Sequence, residues 1–401
     1  MASFDEILAQ KSIFKDVSVL SPHYVPKELP FREQQIREIM SAVSPALKSQ
    51  NPRNLIIYGK TGTGKTATMK RVMEDFLRVC KDRASMHYIN CRIYNSRYRI
   101  LQKLLKGYVP ELEKSGFGLP FLYEKLIEVA SKGEHVIVIL DEVDMVKDLD
   151  ELIYTLTRSN DEIMRGGVNL VCISNKLSFK DSLDPRSKSS LYENETIFQP
   201  YSAQQLQKIL EQRALIGFEK NVVDSSAISL ASAITSQESG DARYALKLLN
   251  KAGEIVQQEG RTKVNDNDVE AARKKVEMDL TIETINTLPE MHQIVLCAIA
   301  SLSISGSKYS RLDGVDDAFL FSGEVYEEYE KICKRVRKRP RSSRWYKEYL
   351  SDLEVLGVIT MTPSSKGVKG QTTLIKIGTR TDAENVLNIL KKILFSNMII
   401  E

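Results

Sequence analysis

Five cysteines and four histidines are spread thinly through 401 residues. Cys80, Cys91, Cys172, Cys297 and Cys333 form no C-x-x-C pair. That argues against structural zinc and a disulfide framework, and it fits a reducing compartment. No H-E-x-x-H is present, so a metalloprotease is excluded. No apolar run approaches the roughly 20 residues of a membrane span. The opening MASFDEILAQ has no signal-peptide core. A cytoplasmic chain with no membrane partner is expected. Charge of one sign is not in excess either. The net charge is only +4, so bulk electrostatics name no partner.

What is present begins with residues 54–66, NLIIYGKTGTGKT. Leu55, Ile56, Ile57 and Tyr58 make an apolar run that reads as a buried strand. The next eight residues fit G-x-x-x-x-G-K-[ST] at every fixed position. Glycines let such a loop take positive φ and bring backbone N–H groups close to phosphate oxygens. The helix that follows adds the positive end of its dipole. Lys65 would reach the β/γ-phosphates and Thr66 would ligate Mg²⁺. A Gly-rich turn matches by accident in roughly one chain in a hundred of this length. Here Met69, Val72, Met73, Phe76 and Cys80 recur at helical spacing, which completes the order strand, loop, helix.

A second chemical element is HVIVILDEVD at 135–144. Val136 to Leu140 is wholly apolar, as in a parallel strand covered on both faces. Asp141 and Glu142 follow at its carboxyl edge, where open α/β sheets bind ligands. Asp141 is placed to hold Mg²⁺ and Glu142 to polarise an attacking water. Alone, acids after a strand are more often solvated ends. Another buried strand, NLVCIS, ends at Asn175, which reads either as a turn residue or as one that positions water against the γ-phosphate.

An extended, proline-containing segment at 20–33 precedes these elements, and a break-rich stretch at 107–120 lies between them. The first is a linker or a strap across another surface. After Pro200 the chain turns helical, with helices expected over 203–217, 227–236, 242–259 and 266–278. From 279 on, helices over 281–286, 289–302, 323–335 and 343–356 precede strands at 358–362 and 372–377 and a last helix at 384–395. Helices followed by a hairpin form a winged-helix pattern. The expected domains are 1–200, nucleotide-binding α/β; 201–278, a helical lid; and 279–401, a winged-helix DNA-binding domain.

A basic run crosses the third domain. Lys331, Lys334, Arg335, Arg337, Lys338, Arg339, Arg341, Arg344 and Lys347 occur with no acid between the first and the last. Such a run is a solvated face, an import signal or a nucleic-acid surface. Trp345, Tyr346 and Tyr349 are interleaved, and Trp345, Tyr349, Leu353 and Leu356 are expected on the core side of their helix. Arg341, Arg344 and Lys347, with Lys366 and Lys369 on the hairpin, are the expected DNA contacts.

The combination resembles the AAA+ replication initiators of archaea, relatives of eukaryotic origin-recognition subunits and of the cell-division-cycle helicase loader. YGKTGTGKT is similar to the family's Walker A segment and VILDEVD to its Walker B. ISN resembles sensor one, LDPRSKSSL the arginine-finger box, and GDARYAL sensor two. FKDVSVLSPHYVPKELPFRE resembles the N-terminal signature, with Phe31 where relatives often carry histidine. PYSAQQLQKILEQRA resembles the lid entry. This likeness implies an α/β AAA+ P-loop ATPase, a parallel sheet with helices on both faces, followed by a helical lid and a C-terminal winged helix.

It implies catalytic roles for Glu142, Asn175, Arg186 and Arg243. It also implies that Tyr24, Val25, Pro30, Gly59, Thr61, Gly62, Thr63, Gly64, Lys65, Thr66, Ala67, Tyr201, Arg213 and Arg243 surround ATP or ADP, and that Thr66 and Asp141 hold Mg²⁺. Arg186 is the candidate finger because Ser190 stands where some relatives have a second arginine. A DNA-contacting insertion would fall at about 97–120. The implied partners are double-stranded origin DNA, the replicative helicase and other initiator copies, in a nucleoid-associated protein with slow ATP turnover. The other reading is a DNA-binding regulator in which nucleotide is a structural ligand, hydrolysed little.

Overall fold

The computed structural model describes residues 12–22, 24–80, 84–113, 116–176, 178–179, 183–191, 194–306, 319–363, 373–378 and 382–395. The chain forms two compact units, 1–269 and 270–401.

In the first unit, five parallel strands form a sheet in the order β2–β3–β4–β1–β5. They are β1 (Leu55–Gly59), β2 (Ala84–Asn90), β3 (His135–Asp141), β4 (Gly167–Ser174) and β5 (Asn194–Phe198). The side-chain period of two sorts their apolar residues into two cores. Ile56, Tyr58, Val136, Val138, Leu140, Leu170 and Cys172 pack with helices Arg97–Leu105, Leu119–Ala130 and Leu149–Arg158. Leu55, Ile57, Ile137, Ile139, Val171 and Ile173 pack with helices Glu33–Val43 and Lys65–Val79. Burial on both faces is why β1, β3 and β4 read as continuous apolar runs. Register then fixes the site. Tyr58 lies opposite Ser174, and Asp141 opposite Ile173, so the ends of β1, β4 and β3 sit side by side at the carboxyl edge.

Helices Ala203–Gly217, Ser225–Glu238 and Ala242–Gln258 follow within the same unit, the first opened by a Ser202–Gln205 capping box. The N-terminal segment is a strap laid on them. Phe14 bridges to Phe218 and packs on it with the two rings tilted, centroids 4.8 Å apart, and the Lys15 and Asp16 amides donate to the Gly217 carbonyl. A Cβ on Gly253 would press into both rings.

In the second unit, β6 (Leu320–Phe321), β8 (Thr373–Ile377) and β7 (Ile359–Pro363) form an antiparallel sheet. Helices Glu290–Ser305, Ser322–Arg335, Ser343–Val355 and Ala383–Phe395 pack one core with it.

The structure differs from the sequence expectations at several points. The helices expected at 266–278 and 281–286 are one helix, Asp266–Thr287, because Asp279 and Leu280 contain neither Gly nor Pro to break it. Helix Leu149–Arg158 was not foreseen, nor was the two-residue β6. On the Ser343–Val355 helix the core residues are Tyr346, Tyr349, Leu350 and Leu353, while Trp345 and Leu356 are each about half exposed. Tyr346 is therefore a core residue, not one offered to a ligand, and Leu356 follows the helix end, off the core face. Among the described residues no helix is long and apolar enough to cross a membrane.

Replacing Gly253 by valine is expected to destabilise the first unit by about 1–3 kcal/mol through overpacking against Phe14 and Phe218. Urea denaturation measures it. An unchanged midpoint would show that the strap has room to shift.

Candidate functional site: a cleft over the phosphate-type loop

A cleft of about 300 Å³ opens at the carboxyl edge of the parallel sheet. Gly62 and Gly64 take φ of 72° and 91°, the left-handed region that favours glycine, and Gly64 caps helix Lys65–Val79. Thr61, Gly62, Gly64, Lys65, Thr66 and Ala67 line the cleft from below. Lys65 is 5% exposed, and its ammonium donates to the Gly59 carbonyl at 2.6 Å and to that of Lys60 at 2.8 Å. Burial lowers its pKa to about 8, against the pull of Asp141. Gly59 and Thr63 belong to the loop but not to the cleft wall. Thr63 is fully buried and donates its hydroxyl to the Lys60 carbonyl.

Asp141 and Glu142 come from the end of β3. Asp141 Oδ2 accepts from Thr66 Oγ1 at 2.8 Å and from the Tyr88 hydroxyl at 2.6 Å. Burial, then the Asp141 contact, pushes the Tyr88 phenol far above its ordinary value, so Tyr88 remains a donor. Glu142 takes φ 56°, which an L side chain rarely adopts, and its Oε2 is buried without a hydrogen-bond partner among the described residues. Asn175 lines the same wall.

The other walls come from distant segments. Tyr24, Val25 and Pro30 line one side, and Tyr201, Arg213 and Arg243 the lid side. Arg213 lies over the Tyr24 ring at 4.7 Å and donates to the Val19 carbonyl at 3.2 Å. Burial lowers its pKa. The lid closes on the loop through the Ala242 amide, which donates to the Gly62 carbonyl at 3.2 Å. Arg186, on helix Pro185–Leu191, is exposed and does not line the cleft.

Sequence reasoning missed Tyr88 as a partner of Asp141, the contact of Asp241 with Gly62, and Arg32, which is 3% exposed and donates Nε–H to the Thr63 carbonyl at 2.9 Å. A signal for Arg32 existed. It stands at the N-cap of helix Glu33–Val43, where a cation opposes the helix dipole.

In the second unit, Arg341, Arg344 and Lys347 are exposed at and just before the start of the Ser343–Val355 helix. Of the basic run, Lys331 pairs with Glu328 at 3.0 Å and Lys338 with Glu290 at 2.9 Å within the unit. Lys366 and Lys369 lie outside the described residues.

A doubly covered parallel sheet, this loop and a helical lid define an AAA+ ATPase module, here on one chain with a winged helix. The chain matches the AAA domain family over residues 48–174, the Cdc6 AAA+ ATPase-type lid domain over 207–274 and the CDC6 C-terminal winged helix domain over 283–387. ORC1-type DNA replication protein 1 of Archaeoglobus fulgidus is 40% identical over 94% of this chain and 91% of its own length. The ORC1-type DNA replication protein of Pyrococcus furiosus is 39% identical over 96% of this chain and 92% of its own. Among solved structures, the Aeropyrum pernix ORC1 protein in complex with DNA superposes with a TM-score of 0.81 at 32% identity, over 97% of this chain and 100% of that one. The chain belongs to the ORC1/Cdc6-type replication initiators, the family whose archaeal members are called ORC1-type DNA replication proteins.

The Lys65 pKa gives a signed expectation. In the unfolded chain a lysine titrates near 10.4. Between about pH 8 and that value the unfolded chain holds more protons, so the Lys65 contribution to stability rises with pH. Lys65→Met removes this contribution. Urea unfolding of both proteins at about pH 7.5 and about pH 10 is expected to show wild type gaining on the variant at the higher pH. Parallel changes would refute a depressed Lys65.

Proposed function

We propose that this chain is an ATP-switched replication initiator that binds double-stranded origin DNA through its winged helix and helps to load the replicative helicase. The observation that carries the reading is the 2.8 Å hydrogen bond joining Thr66 to Asp141 inside a cleft that Arg243 of the lid also lines. The pocket is at the size where small-ligand sites begin, about 300 Å³.

The residues present fit ATP and Mg²⁺. Thr66 Oγ1 and Asp141 Oδ2 are adjacent hard oxygen donors, the type that Mg²⁺ takes. Glu142 keeps a buried carboxylate oxygen without a hydrogen bond, and Arg213 a buried Nε in the same state, among the described residues. Bound there, Mg²⁺ neutralises charge on the transferred phosphoryl group. The chain's own groups do the rest. Lys65 turns its ammonium from loop carbonyls to phosphate oxygens. Glu142 orients the attacking water, with Asn175 beside it. Arg243 senses the γ-phosphate from the lid. Tyr24, Val25, Pro30, Tyr201 and Arg213 hold the base and sugar.

Arg186, exposed and off its own cleft, is disposed as a finger for a neighbouring copy. The exposed Arg341, Arg344 and Lys347 support a DNA surface, with Lys366 and Lys369 of the wing proposed from sequence. The A. pernix relative, captured with DNA, supports the same assignment.

Lys65→Ala is expected to weaken ATP binding at least about tenfold, by loss of a charge-assisted contact. Glu142→Gln should bind ATP normally and lose hydrolysis by about 100-fold or more. Arg243→Ala should lower turnover more than ADP affinity. Calorimetry and phosphate release measure these effects. Equal ATP affinity in Lys65→Ala and wild type would sink the nucleotide assignment.

On DNA, Arg344→Ala or Lys347→Ala should cost about 1–3 kcal/mol on a preferred site only. Lys369→Ala should weaken all duplexes and flatten the salt slope by about one unit. Titrations on preferred and random duplex across a salt series separate the two. No loss in any variant would remove the winged helix from the DNA surface. Genome-wide binding that avoids replication start sites would favour a regulator over an initiator.

A further inference from the structure

Arg32 is buried, and its guanidinium donates to three backbone carbonyls. Nε donates to Thr63 at 2.9 Å, Nη1 to Phe31 at 3.1 Å and Nη2 to Gln199 at 2.8 Å. Its carbon Cζ lies 3.9 Å from the centroid of the Tyr201 ring and 5.4 Å from that of Phe198. A buried cation held by carbonyls and by the Tyr201 side chain is costly to keep. Its three acceptors belong to three different parts of the chain. Phe31 ends the strap that lines one wall of the cleft, Thr63 lies in the loop, and Gln199 precedes the lid.

The Thr63–Gly64 peptide is trans, as are all peptides of the described chain. In a planar trans peptide the C=O and N–H point in opposite directions. Holding the Thr63 carbonyl towards Arg32 therefore turns the Gly64 N–H the other way. Gly64 lines the cleft, and Arg32 does not. The Gln199 carbonyl is fixed by the same guanidinium, two residues before Tyr201, whose amide donates to the Gly240 carbonyl of the lid at 3.2 Å.

We infer that Arg32 is a positioning residue for the anion site: through the Thr63 carbonyl it aims the Gly64 N–H at a bound phosphate, and through Gln199 it ties that peptide to the entry of the lid. The inference rests on the nucleotide reading above and adds a residue that touches no ligand. A lysine at this position keeps the charge but lacks the planar fork that reaches Thr63 and Gln199 at once.

The test compares full-length wild type with Arg32→Lys, each checked for folding by thermal denaturation, in calorimetric titrations with AMP, ADP and ATP. Arg32→Lys is expected to lose about tenfold or more in ADP and ATP affinity, the scale of a charge-assisted hydrogen bond, while AMP affinity changes less than about threefold. Unchanged ADP affinity overturns the inference, and so does an equal loss for all three nucleotides, which is general loosening. Wild type that binds no nucleotide overturns the nucleotide reading and this inference with it. Should Arg32→Lys not fold, the Gly64 amide resonance of glycine-labelled wild type decides. A marked shift on adding ADP supports the inference, and an unmoved resonance overturns it.

Discussion

A loop that turns its N–H groups towards a ligand turns its carbonyls the other way, and buried carbonyls must find donors inside the protein. Around this loop five of them have one, those of Gly59, Lys60, Gly62, Thr63 and Gly64. The Gly59 and Lys60 carbonyls take the Lys65 ammonium, and Lys60 also takes the Thr63 hydroxyl. The Gly62 carbonyl takes the Ala242 amide of the lid. The Thr63 carbonyl takes Arg32, and the Gly64 carbonyl takes the Thr68 amide of the helix. The donors come from the loop itself, the N-terminal strap, the lid and the following helix. The architecture around the sheet can be understood as what supplies them. It also explains why Lys65 is both paired and buried. Its cation is held by carbonyls that phosphate oxygens would have to outbid, so part of the gain on binding is spent on that exchange.

How much was legible in the sequence follows from how local each signal is. The strand–loop–helix at 54–66, the acids after 135–140 and the strand ending at Asn175 are patterns within ten or so residues, and a parallel sheet brings their ends to one edge. The α/β nucleotide-binding class of the first domain followed from the same patterns, and the AAA+ fold from the family resemblance. The partners of Arg32, Tyr88 and Asp241 were not legible, because each acts across a separation that no local period encodes. Arg32 bonds Thr63 and Gln199, 31 and 167 residues away, and Tyr88 bonds Asp141, 53 residues away. The join inside Asp266–Thr287 was misread for the opposite reason. A change of composition was taken as a break where the backbone had none.

The basic run of the winged helix shows what a charge pattern leaves out. Along 343–355 the helical repeat puts Tyr346, Tyr349, Leu350 and Leu353 in the core and leaves Arg344 and Lys347, three residues apart, exposed on another face. The aromatics that looked interleaved with the charges are thus divided. Tyr346 supports the helix, its hydroxyl donating to the Ser322 carbonyl at 3.0 Å, and Trp345 faces outward. The lysines of the Lys331–Glu328 and Lys338–Glu290 ion pairs are exposed, although Glu328 is half-buried, and pairs at the surface are worth about 0–1 kcal/mol. They therefore cost little to exchange for a phosphate, and the run can act as a surface although Lys331 and Lys338 are already paired.

Gly62 is the point where loop and lid constrain each other. The pattern G-x-x-x-x-G-K-[ST] fixes Gly59 and Gly64 but leaves position 62 open, so the motif alone gives no reason for glycine there. The structure gives two. The backbone takes φ 72°, and a Cβ would fall on the Asp241 carboxylate. Asp241 is the N-cap of helix Ala242–Gln258, and its Oδ1 accepts from the Arg243 amide at 2.7 Å. The carboxylate is thus held by a helix N-terminus, which offsets part of the repulsion it would exert on an anion over the loop. Its position also sets that of Arg243, two residues further along and lining the cleft. Closing the lid onto Gly62 therefore brings a cation to the cleft together with the acid. A side chain at 62 would hold both off, which makes this glycine a requirement of the lid rather than of the phosphate cradle.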